Sequence, residues 1–339
     1  MSAIINGPVK ASKWPLAALL ALCLWLPAAG VWAQTETNPA GAGPAGAGPG
    51  AAGTRAGEAK ARRIISLYAA DTEILLRLGA RDSLVGISRQ ETYGGPETEG
   101  WERPPEFSIH DDAEKFMAAE ADYVLLRPMH LSAASALFDT LEKTGIKLWV
   151  RQCTEAKDLY AFWQELGELV GRGEEAKSMI AEFGKKIEEL AYRGDQAKPE
   201  ARPGVFLESI HEEIKTFTAE SIPIWLLTLA GGRNVAVDAE PTRPGQIVAN
   251  YGPERLLEKA DQIDVFISQE GPMNKVDTAA ILGRQIYSVM PAFKNGRVYR
   301  VPEELISRPS PSLIEGLILL KETIHPAQIN PTQTGPKRP

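Results

Sequence analysis

The sequence predicts an α/β protein made of two α/β lobes that are joined by a single long helix. Short runs rich in apolar and β-branched residues alternate with helical segments over residues 62–150, and the alternation resumes over residues 204–323. Between them, residues 159–192 show helical periodicity and contain no strand-like run. The predicted boundaries are residues 62–158 for the N-terminal lobe, 159–195 for the helical segment and 196–326 for the C-terminal lobe.

Residues 1–33 have the pattern of a signal peptide. Lysines precede the apolar run Leu16–Pro27, and Val31-Trp32-Ala33 suits cleavage by a signal peptidase. The apolar run is shorter than the roughly 20 residues of a membrane-spanning helix. Leu22 precedes Cys23 where a lipoprotein motif has a small residue, so we expect export with cleavage and no lipid attachment.

Residues 34–61 are rich in Ala, Gly and Pro and contain almost no large apolar side chain, which predicts a flexible linker. Gly41, Gly43 and Gly46 match a G-x-G-x-x-G pattern, but no strand precedes them, so no nucleotide site is predicted. Residues 327–339 are rich in Pro, Gln and Thr and are predicted to be a disordered tail.

Composition and charge exclude several classes of protein. The chain has 339 residues, 44% of them hydrophobic and 24% charged, which suits about two globular domains. The net charge of -7 and the absence of a basic run argue against a nucleic-acid partner. After signal cleavage only Cys153 would remain, so no internal disulfide is possible, and we interpret it as a structural thiol.

The elements of each lobe follow from the hydrophobic period and the turn residues around each run. In the N-terminal lobe we predict strand Ile64–Leu67, helix Asp71–Leu78, strand Leu84–Ser88, helix Asp112–Glu120, strand Tyr123–Arg127, helix Ser132–Thr144 and strand Ile146–Val150. The long helix is predicted near Glu174–Tyr192, where Ala176, Phe183 and Ile187 share one face. In the C-terminal lobe we predict strands Gly204–Glu208 and Lys215–Thr218, helices Ile222–Ala230 and Pro253–Ala260, strands Ile263–Ser268 and Arg297–Val301, and helix Ser312–Thr323.

Several segments resemble a known family. Ile64-Ile65-Ser66-Leu67-Tyr68-Ala69-Ala70-Asp71-Thr72-Glu73-Ile74-Leu75, with Leu78-Gly79-Ala80 and Leu84-Val85-Gly86 after it, resembles the opening of the periplasmic binding proteins for iron siderophores, haem and cobalamin. Ala113–Leu125 resembles a later segment of the first lobe. Pro253–Val265, Asn295–Tyr299 and Arg308–Ser312 resemble the second. The resemblance covers nearly the whole mature chain.

This resemblance implies a class III periplasmic binding protein, with a ligand cleft between the lobes and a location in the periplasm. It implies a monomer that captures an iron-siderophore-type metal chelate and delivers it to an ABC permease and its ATPase in the inner membrane. No intrinsic cofactor and no enzymatic activity are implied. In the family, one glutamate per lobe docks on arginines of the permease, and the matching residues are Glu114 and Glu254. Either glutamate alone also suits the first turn of a helix, where it complements the helix dipole.

Ligands of open α/β lobes bind beyond the carboxyl ends of the strands, where this sequence is basic and rich in imidazole. The candidate ligand-binding residues are Tyr68, Arg89, His110, Arg127, His130, His211, Arg243 and Arg308. Because guanidinium groups complement carboxylates and phosphates, this set favours an anionic chelate. Any one of the arginines alone would equally suit a surface ion pair.

Other ligands and functions stay open at this point. His110, His130, His211 and Glu270 are an alternative set of ligands for a bare transition-metal ion. Haem could be ligated by Tyr68, Met129 or a histidine, and a corrinoid is a further possibility. A periplasmic hydrolase is the alternative of a different class. However, His211-Glu212 lacks the second histidine of a zinc-protease motif, since Lys215 stands there, and no nucleophile elbow is present.

Overall fold

A computed structural model of the chain describes residues 62–89, 96–194, 199–243 and 245–326. All of these residues fall in the same structural unit. The predicted signal peptide, linker and C-terminal tail, residues 1–33, 34–61 and 327–339, lie outside the described residues. None of the described helices is both long enough and apolar enough to span a membrane.

The first lobe is a parallel sheet flanked by helices. It contains β1 (Ile64–Ser66), α1 (Ala69–Arg77), β2 (Leu84–Ser88), β3 (Glu106–Phe107), α2 (Ala113–Ala118), β4 (Tyr123–Leu126), α3 (Pro128–Ala133), α4 (Ser135–Lys143) and β5 (Lys147–Val150). The strand order is β3-β2-β1-β4-β5, and every pair is parallel. Ile64 and Ile65 of the central strand are fully buried, as expected for a sheet covered on both faces. The predicted helix Ser132–Thr144 is divided at Ala134, whose φ of -139° is not helical.

A helical hairpin follows the first lobe. It consists of α5 (Leu159–Leu169) and α6 (Gly173–Leu190), which pack against each other. The chain reverses at Gly171, whose φ of +70° is a left-handed conformation that glycine adopts without a steric penalty. With 18 residues, α6 is the longest described helix and coincides with the long helix predicted near Glu174–Tyr192.

The second lobe combines a parallel sheet with a small antiparallel one. It contains β6 (Gly204–Glu208), β7 (Lys215–Phe217), α7 (Ile222–Leu229), β8 (Arg233–Asn234), β9 (Glu240–Pro241), β10 (Val248–Asn250), α8 (Gly252–Glu258), β11 (Val265–Glu270), α9 (Thr278–Gly283), α10 (Pro291–Lys294), β12 (Val298–Pro302), α11 (Glu303–Ile306) and α12 (Leu313–Ile324). The parallel sheet has the order β12-β11-β6-β8, and the antiparallel sheet has the order β7-β10-β9.

The two parallel sheets repeat one strand arrangement. In the first lobe β1 lies between β2 and β4, with β5 beyond β4; in the second lobe β6 lies between β8 and β11, with β12 beyond β11. Thus β4 and β11 occupy equivalent positions, and so do β5 and β12. Residues that directly follow these strands lie at the carboxyl edges of the sheets, where α/β proteins bind ligands.

Hydrogen bonds and packing connect the second lobe to the helical hairpin and to the first lobe. Trp163 on α5 is fully buried, and its Nε1 donates to the Pro309 carbonyl oxygen at 2.8 Å. The Ser312 backbone N–H donates to Glu73 Oε1 of the first lobe at 3.1 Å. One hydrophobic core cluster contains residues of both parallel sheets, and α12 packs on α6. A buried connection of this kind limits how far the lobes can move relative to each other.

Candidate functional site

Four polar side chains from the carboxyl edges of both sheets lie near one another between the lobes. Tyr68 follows β1 and Arg127 follows β4, and the Arg127 guanidinium carbon lies 4.4 Å from the centre of the Tyr68 ring. Glu303 begins α11 directly after β12, and Arg308 follows α11. Both second-lobe residues are near enough to Tyr68 to influence the pKa of its phenol. We call these four residues the inter-lobe cluster.

Burial governs the protonation of two members of this cluster. It raises the pKa of the Tyr68 phenol well above its ordinary value, and the positive charge of Arg127 opposes this only in part. Burial also raises the pKa of the Glu303 carboxyl, against the opposing effect of Arg308 and Arg127. At neutral pH the Tyr68 phenol is therefore uncharged and able to donate a hydrogen bond.

The cluster contains polar atoms that have no hydrogen-bond partner among the described residues. They are the Arg127 Nε donor and the Glu303 Oε2 acceptor, and both are buried. Buried polar atoms in folded proteins are almost always paired. These two atoms therefore lack the partners that buried polar atoms normally have.

The structure brings three of the predicted ligand-binding residues together, Tyr68, Arg127 and Arg308, and adds Glu303. Glu303 was not predicted from the sequence, although it comes soon after the predicted strand Arg297–Val301. That position is the same signal that identified Tyr68 and Arg127. An acidic residue did not fit the basic pattern on which the prediction was based.

His130 lies beside the cluster at the start of α3. The Arg127 backbone N–H donates to His130 Nδ1 at 3.4 Å, which caps the helix. Burial, with a smaller contribution from Arg127, lowers the pKa of His130 to about 4. The imidazole is therefore neutral at physiological pH, and its Nδ1 is an acceptor.

His211 belongs to a buried polar network at the carboxyl end of β6. Its Nδ1 lies 3.0 Å from Glu208 Oε2, and Glu208 is fully buried. The Tyr287 hydroxyl donates to Glu208 at 2.7 Å and the Ser268 hydroxyl donates at 2.8 Å. A carboxylate at this position favours the imidazole tautomer that carries its proton on Nδ1. Glu208 could not be identified from the sequence, because a glutamate at the end of a strand usually faces solvent.

Three other predicted residues do not join the inter-lobe cluster. Arg89 forms an ion pair with Asp111. His110 and Arg243 are exposed to solvent. For Arg89 the structure shows the surface ion pair that was the alternative interpretation of each arginine.

The four residues considered as a bare-metal site are not assembled into one. Glu270 pairs with Arg300 at 3.0 Å, His211 is held by Glu208, and His110 is exposed. Within the described ranges, no three His, Cys, Asp or Glu side chains come together with the geometry of a metal site.

Cys153 is buried, and its Sγ donates to the Glu155 carbonyl oxygen at 3.5 Å. Burial, with a smaller effect of Asp158, raises the pKa of the thiol to about 12. A thiol that stays protonated is a poor nucleophile, which agrees with a structural role.

The two predicted docking glutamates occupy matched positions. Glu114 lies in the first turn of α2, which precedes β4, and Glu254 lies in the first turn of α8, which precedes the equivalent strand β11. Both residues are exposed. Neither side chain makes an ion pair or a hydrogen bond with any residue in the described part of the chain.

The basic residue that follows each glutamate is held by an aspartate. Lys115 Nζ lies 2.8 Å from Asp111 Oδ2. In the second lobe, Arg255 Nη2 lies 2.9 Å from Asp238 Oδ2, and Lys259 Nζ lies 2.6 Å from Asp238 Oδ1. Partial burial alone would raise the pKa of Asp238, but hydrogen bonds from Lys259 and Arg255 outweigh it and hold the pKa well below its usual range. These pairs keep nearby cations occupied and leave both glutamates exposed.

Two parallel-sheet lobes, with polar side chains of both meeting at the carboxyl edges, define a bilobal α/β ligand-binding protein. Residues 64–305 match the model of the periplasmic binding protein family. The chain belongs to that family. The family and the two-lobed α/β fold class predicted from the sequence are thereby confirmed.

Known proteins are similar to this chain in sequence or in structure. The uncharacterized ABC transporter substrate-binding lipoprotein YvrC of Bacillus subtilis (strain 168) is 25% identical over 267 residues, which are 78% of this chain and 80% of the relative. The vitamin B12-binding protein of Vibrio campbellii (strain ATCC BAA-1116) is 22% identical over 251 residues, 74% of this chain and 84% of the relative. The structure of a possible iron-binding, periplasmic solute-binding protein from Staphylococcus epidermidis ATCC 12228 matches with a TM-score of 0.66 and 23% identity, covering 78% of this chain and 99% of the other.

The Bacillus subtilis relative is named a lipoprotein. That name gives no support to the prediction that this chain carries no lipid. Cys23, on which the question depends, lies outside the described residues.

Proposed function

We propose that this protein is the substrate-binding subunit of an ABC importer and that it captures an anionic metal chelate of the iron-siderophore type in the periplasm. The observation that carries the proposal is the inter-lobe cluster, in which Arg127 of one lobe lies over the Tyr68 ring and Arg308 of the other is near enough to influence the pKa of the Tyr68 phenol. The protein binds and releases its ligand without chemical change, holds no cofactor of its own and acts as a monomer.

The charges of the cluster support an anionic ligand rich in oxygen. Two guanidinium groups offer planar, paired donors that match carboxylate or phosphate geometry. The neutral Tyr68 phenol adds one more donor. Glu303 balances part of the positive charge and offers an acceptor to any hydroxyl or amide of the ligand.

The protein would bind the metal as a chelate and not as a bare ion. Within the described residues no group of acidic, histidine or cysteine side chains is arranged to hold a bare ion, which disfavours that alternative. A corrinoid is the second candidate ligand, because a relative from Vibrio campbellii is named a vitamin B12-binding protein. Haem is a third candidate, because a tyrosine can ligate haem iron and Tyr68 belongs to the inter-lobe cluster.

Delivery would use Glu114 and Glu254 to dock on an inner-membrane permease that works with an ATPase. Their exposure, their lack of partners among the described residues and their equivalent positions support this role. A carboxylate without an internal partner can form a bidentate, directional pair with an arginine of another protein. Two such pairs, one on each lobe, would fix the orientation of the complex.

The test compares arginines inside and outside the cluster. Ferric siderophores, haemin and cyanocobalamin are titrated into the mature protein, with the fluorescence of the partly buried Trp149 and Trp225 as the readout. For the complex that binds best, we expect Arg127→Ala and Arg308→Ala each to weaken affinity at least about tenfold, because each removes a half-buried positive charge that would pair with the ligand.

Arg89→Ala and Arg243→Ala are the matched controls and should bind like the parent, because neither residue joins the cluster. Circular dichroism checks that all four variants fold. Equal affinity in the cluster variants and the parent would contradict the proposed binding site.

A further inference from the structure

The same dipeptide follows two equivalent strands, one in each lobe. Pro128-Met129 comes after β4, and Pro272-Met273 comes after β11. Met129 is 51% exposed and Met273 is 69% exposed, which places both among the most exposed large apolar residues in the described part of the chain. Singly scattered exposed apolar residues are normal on a protein surface. This pair is distinguished by its equivalent positions at the carboxyl edges of the two sheets.

Both methionines stand next to the inter-lobe cluster. Met129 comes two residues after Arg127, which covers the Tyr68 ring. Met273 comes two residues after Gly271, and Glu303 lies so close to Gly271 that a Cβ atom would not fit there. The backbone therefore places each methionine two residues from a residue of the cluster or from a residue in contact with it.

Each methionine is also presented on a firmly held turn. Gly271 and Asn274 exchange backbone hydrogen bonds of 3.3 and 3.1 Å, with Met273 between them. Asn274 is buried, donates to the Gln269 carbonyl oxygen at 2.6 Å and accepts from the His211 backbone N–H at 2.9 Å. Met129 lies in the first turn of α3, which His130 caps. A fixed backbone with an exposed, flexible and polarizable side chain is suited to packing against a ligand.

We propose that Met129 and Met273 pack against an aromatic or macrocyclic face of the bound chelate, one from each lobe, while Arg127 and Arg308 bind its anionic groups. This assignment rests on the proposed function and narrows it to chelates that carry both an apolar face and negative charge. Thioether sulfur makes favourable contacts with aromatic rings and adapts to their edges. Small aliphatic chelates such as metal citrate offer no such face.

The test uses protein labelled with carbon-13 at its methionine methyl groups. The full-length sequence contains 6 methionines, so the spectrum is simple to assign by substitution. The probes are four diamagnetic complexes: gallium(III) tricatecholate, gallium(III) protoporphyrin, cyanocobalamin and gallium(III) citrate. We expect the tightest complex to be one of the first three and to shift the Met129 and Met273 methyl signals, while Met179 and the fully buried Met290 stay unchanged.

Affinity provides a second measurement. The double variant Met129→Gln/Met273→Gln should bind that complex about tenfold more weakly, since each side chain contributes a modest packing energy. Met117→Gln, at an exposed methionine on α2, is the matched control and should bind like the parent.

Two results would overturn the assignment while leaving the proposed function in place. They are unshifted Met129 and Met273 signals in a complex that binds, or gallium citrate as the tightest ligand. Binding of none of the four complexes would contradict the proposed function and this assignment together.

Discussion

At the scale of single residues, burial decides which groups of the site carry charge. His130 is the clearest case, because its pKa is lowered to about 4 by burial and then by Arg127. Its neutral Nδ1 accepts the hydrogen bond that caps α3 and thereby fixes the chain immediately after Arg127. A protonated His130 could not accept that bond, and it would place a second positive charge beside the guanidinium.

This shift makes stability depend on pH in a defined direction. The unfolded chain takes up a proton on this histidine near the ordinary pKa of about 6.5, but the folded protein does so only near 4. The contribution of His130 to stability is therefore complete above pH 6.5 and is lost as the pH falls from 6.5 through about 4. When the pH is lowered from 7 to 4.5, the free energy of unfolding should fall less for His130→Gln than for the parent. Urea unfolding at each pH measures the difference.

His110→Gln removes an exposed histidine of the same lobe and serves as the control. It should follow the parent across this range. Parallel pH profiles for His130→Gln and the parent would mean that His130 titrates normally.

At the scale of elements, the helical hairpin α5–α6 depends on one backbone conformation. Gly171 has a φ of +70°, and a Cβ atom there would contact nothing within 4 Å. The cost of a side chain at this position would therefore come from backbone strain and not from crowding. Gly184, within α6, differs in that a Cβ atom there would make an ordinary contact of 3.6 Å with the Tyr160 hydroxyl.

Alanine at these two glycines should have opposite effects. Gly171→Ala should lower the free energy of unfolding by about 1 kcal/mol, because alanine is strained at positive φ. Gly184→Ala should raise it by roughly 0.5–1 kcal/mol, since alanine stabilises a helix interior relative to glycine. Urea unfolding of both variants measures the difference, and a stabilised Gly171→Ala would refute the explanation for the hairpin turn.

At the scale of the whole molecule, two lobes with equivalent strand orders each present one exposed glutamate. Glu114 and Glu254 precede equivalent strands, and the cations beside them are held by Asp111 and Asp238. Because the lobes share a core cluster and a direct hydrogen bond from Ser312 to Glu73, the spacing of the two docking glutamates should change little when a ligand binds. A partner protein could then bind both glutamates at once, at a fixed distance from each other.

Removing both glutamates should separate ligand capture from delivery. We expect Glu114→Ala/Glu254→Ala to bind ligand with unchanged affinity, but to reduce its uptake at least about tenfold in cells that lack the parent gene. The matched control is Glu142→Ala/Glu258→Ala, which removes the same amount of negative charge from one exposed glutamate in each lobe. It should support normal uptake. Full uptake with the Glu114→Ala/Glu254→Ala variant would show that these glutamates are not needed for docking on the permease.

Local pattern was sufficient for much of the fold and for part of the site. The strands beginning at Ile64, Tyr123 and Gly204 were predictable because short apolar runs lie between turns, and Tyr68 and Arg127 followed because they come directly after such strands. The outcome for Arg89 was not predictable, because its partner Asp111 lies on another loop and nothing in the local sequence connects them. Glu208 was missed for a similar reason, since Ser268 and Tyr287, which satisfy it, come from distant parts of the chain.

The close contact between Gly271 and Glu303 has a consequence for how this site can evolve. A residue other than glycine at position 271 would displace the Glu303 carboxylate from its place between the lobes. The two positions should therefore change together: descendants that acquire a side chain at 271 should also replace the glutamate at 303. Such paired replacement would change the charge of the cleft, because Glu303 is its acidic member, and so offers one route from one class of ligand to another.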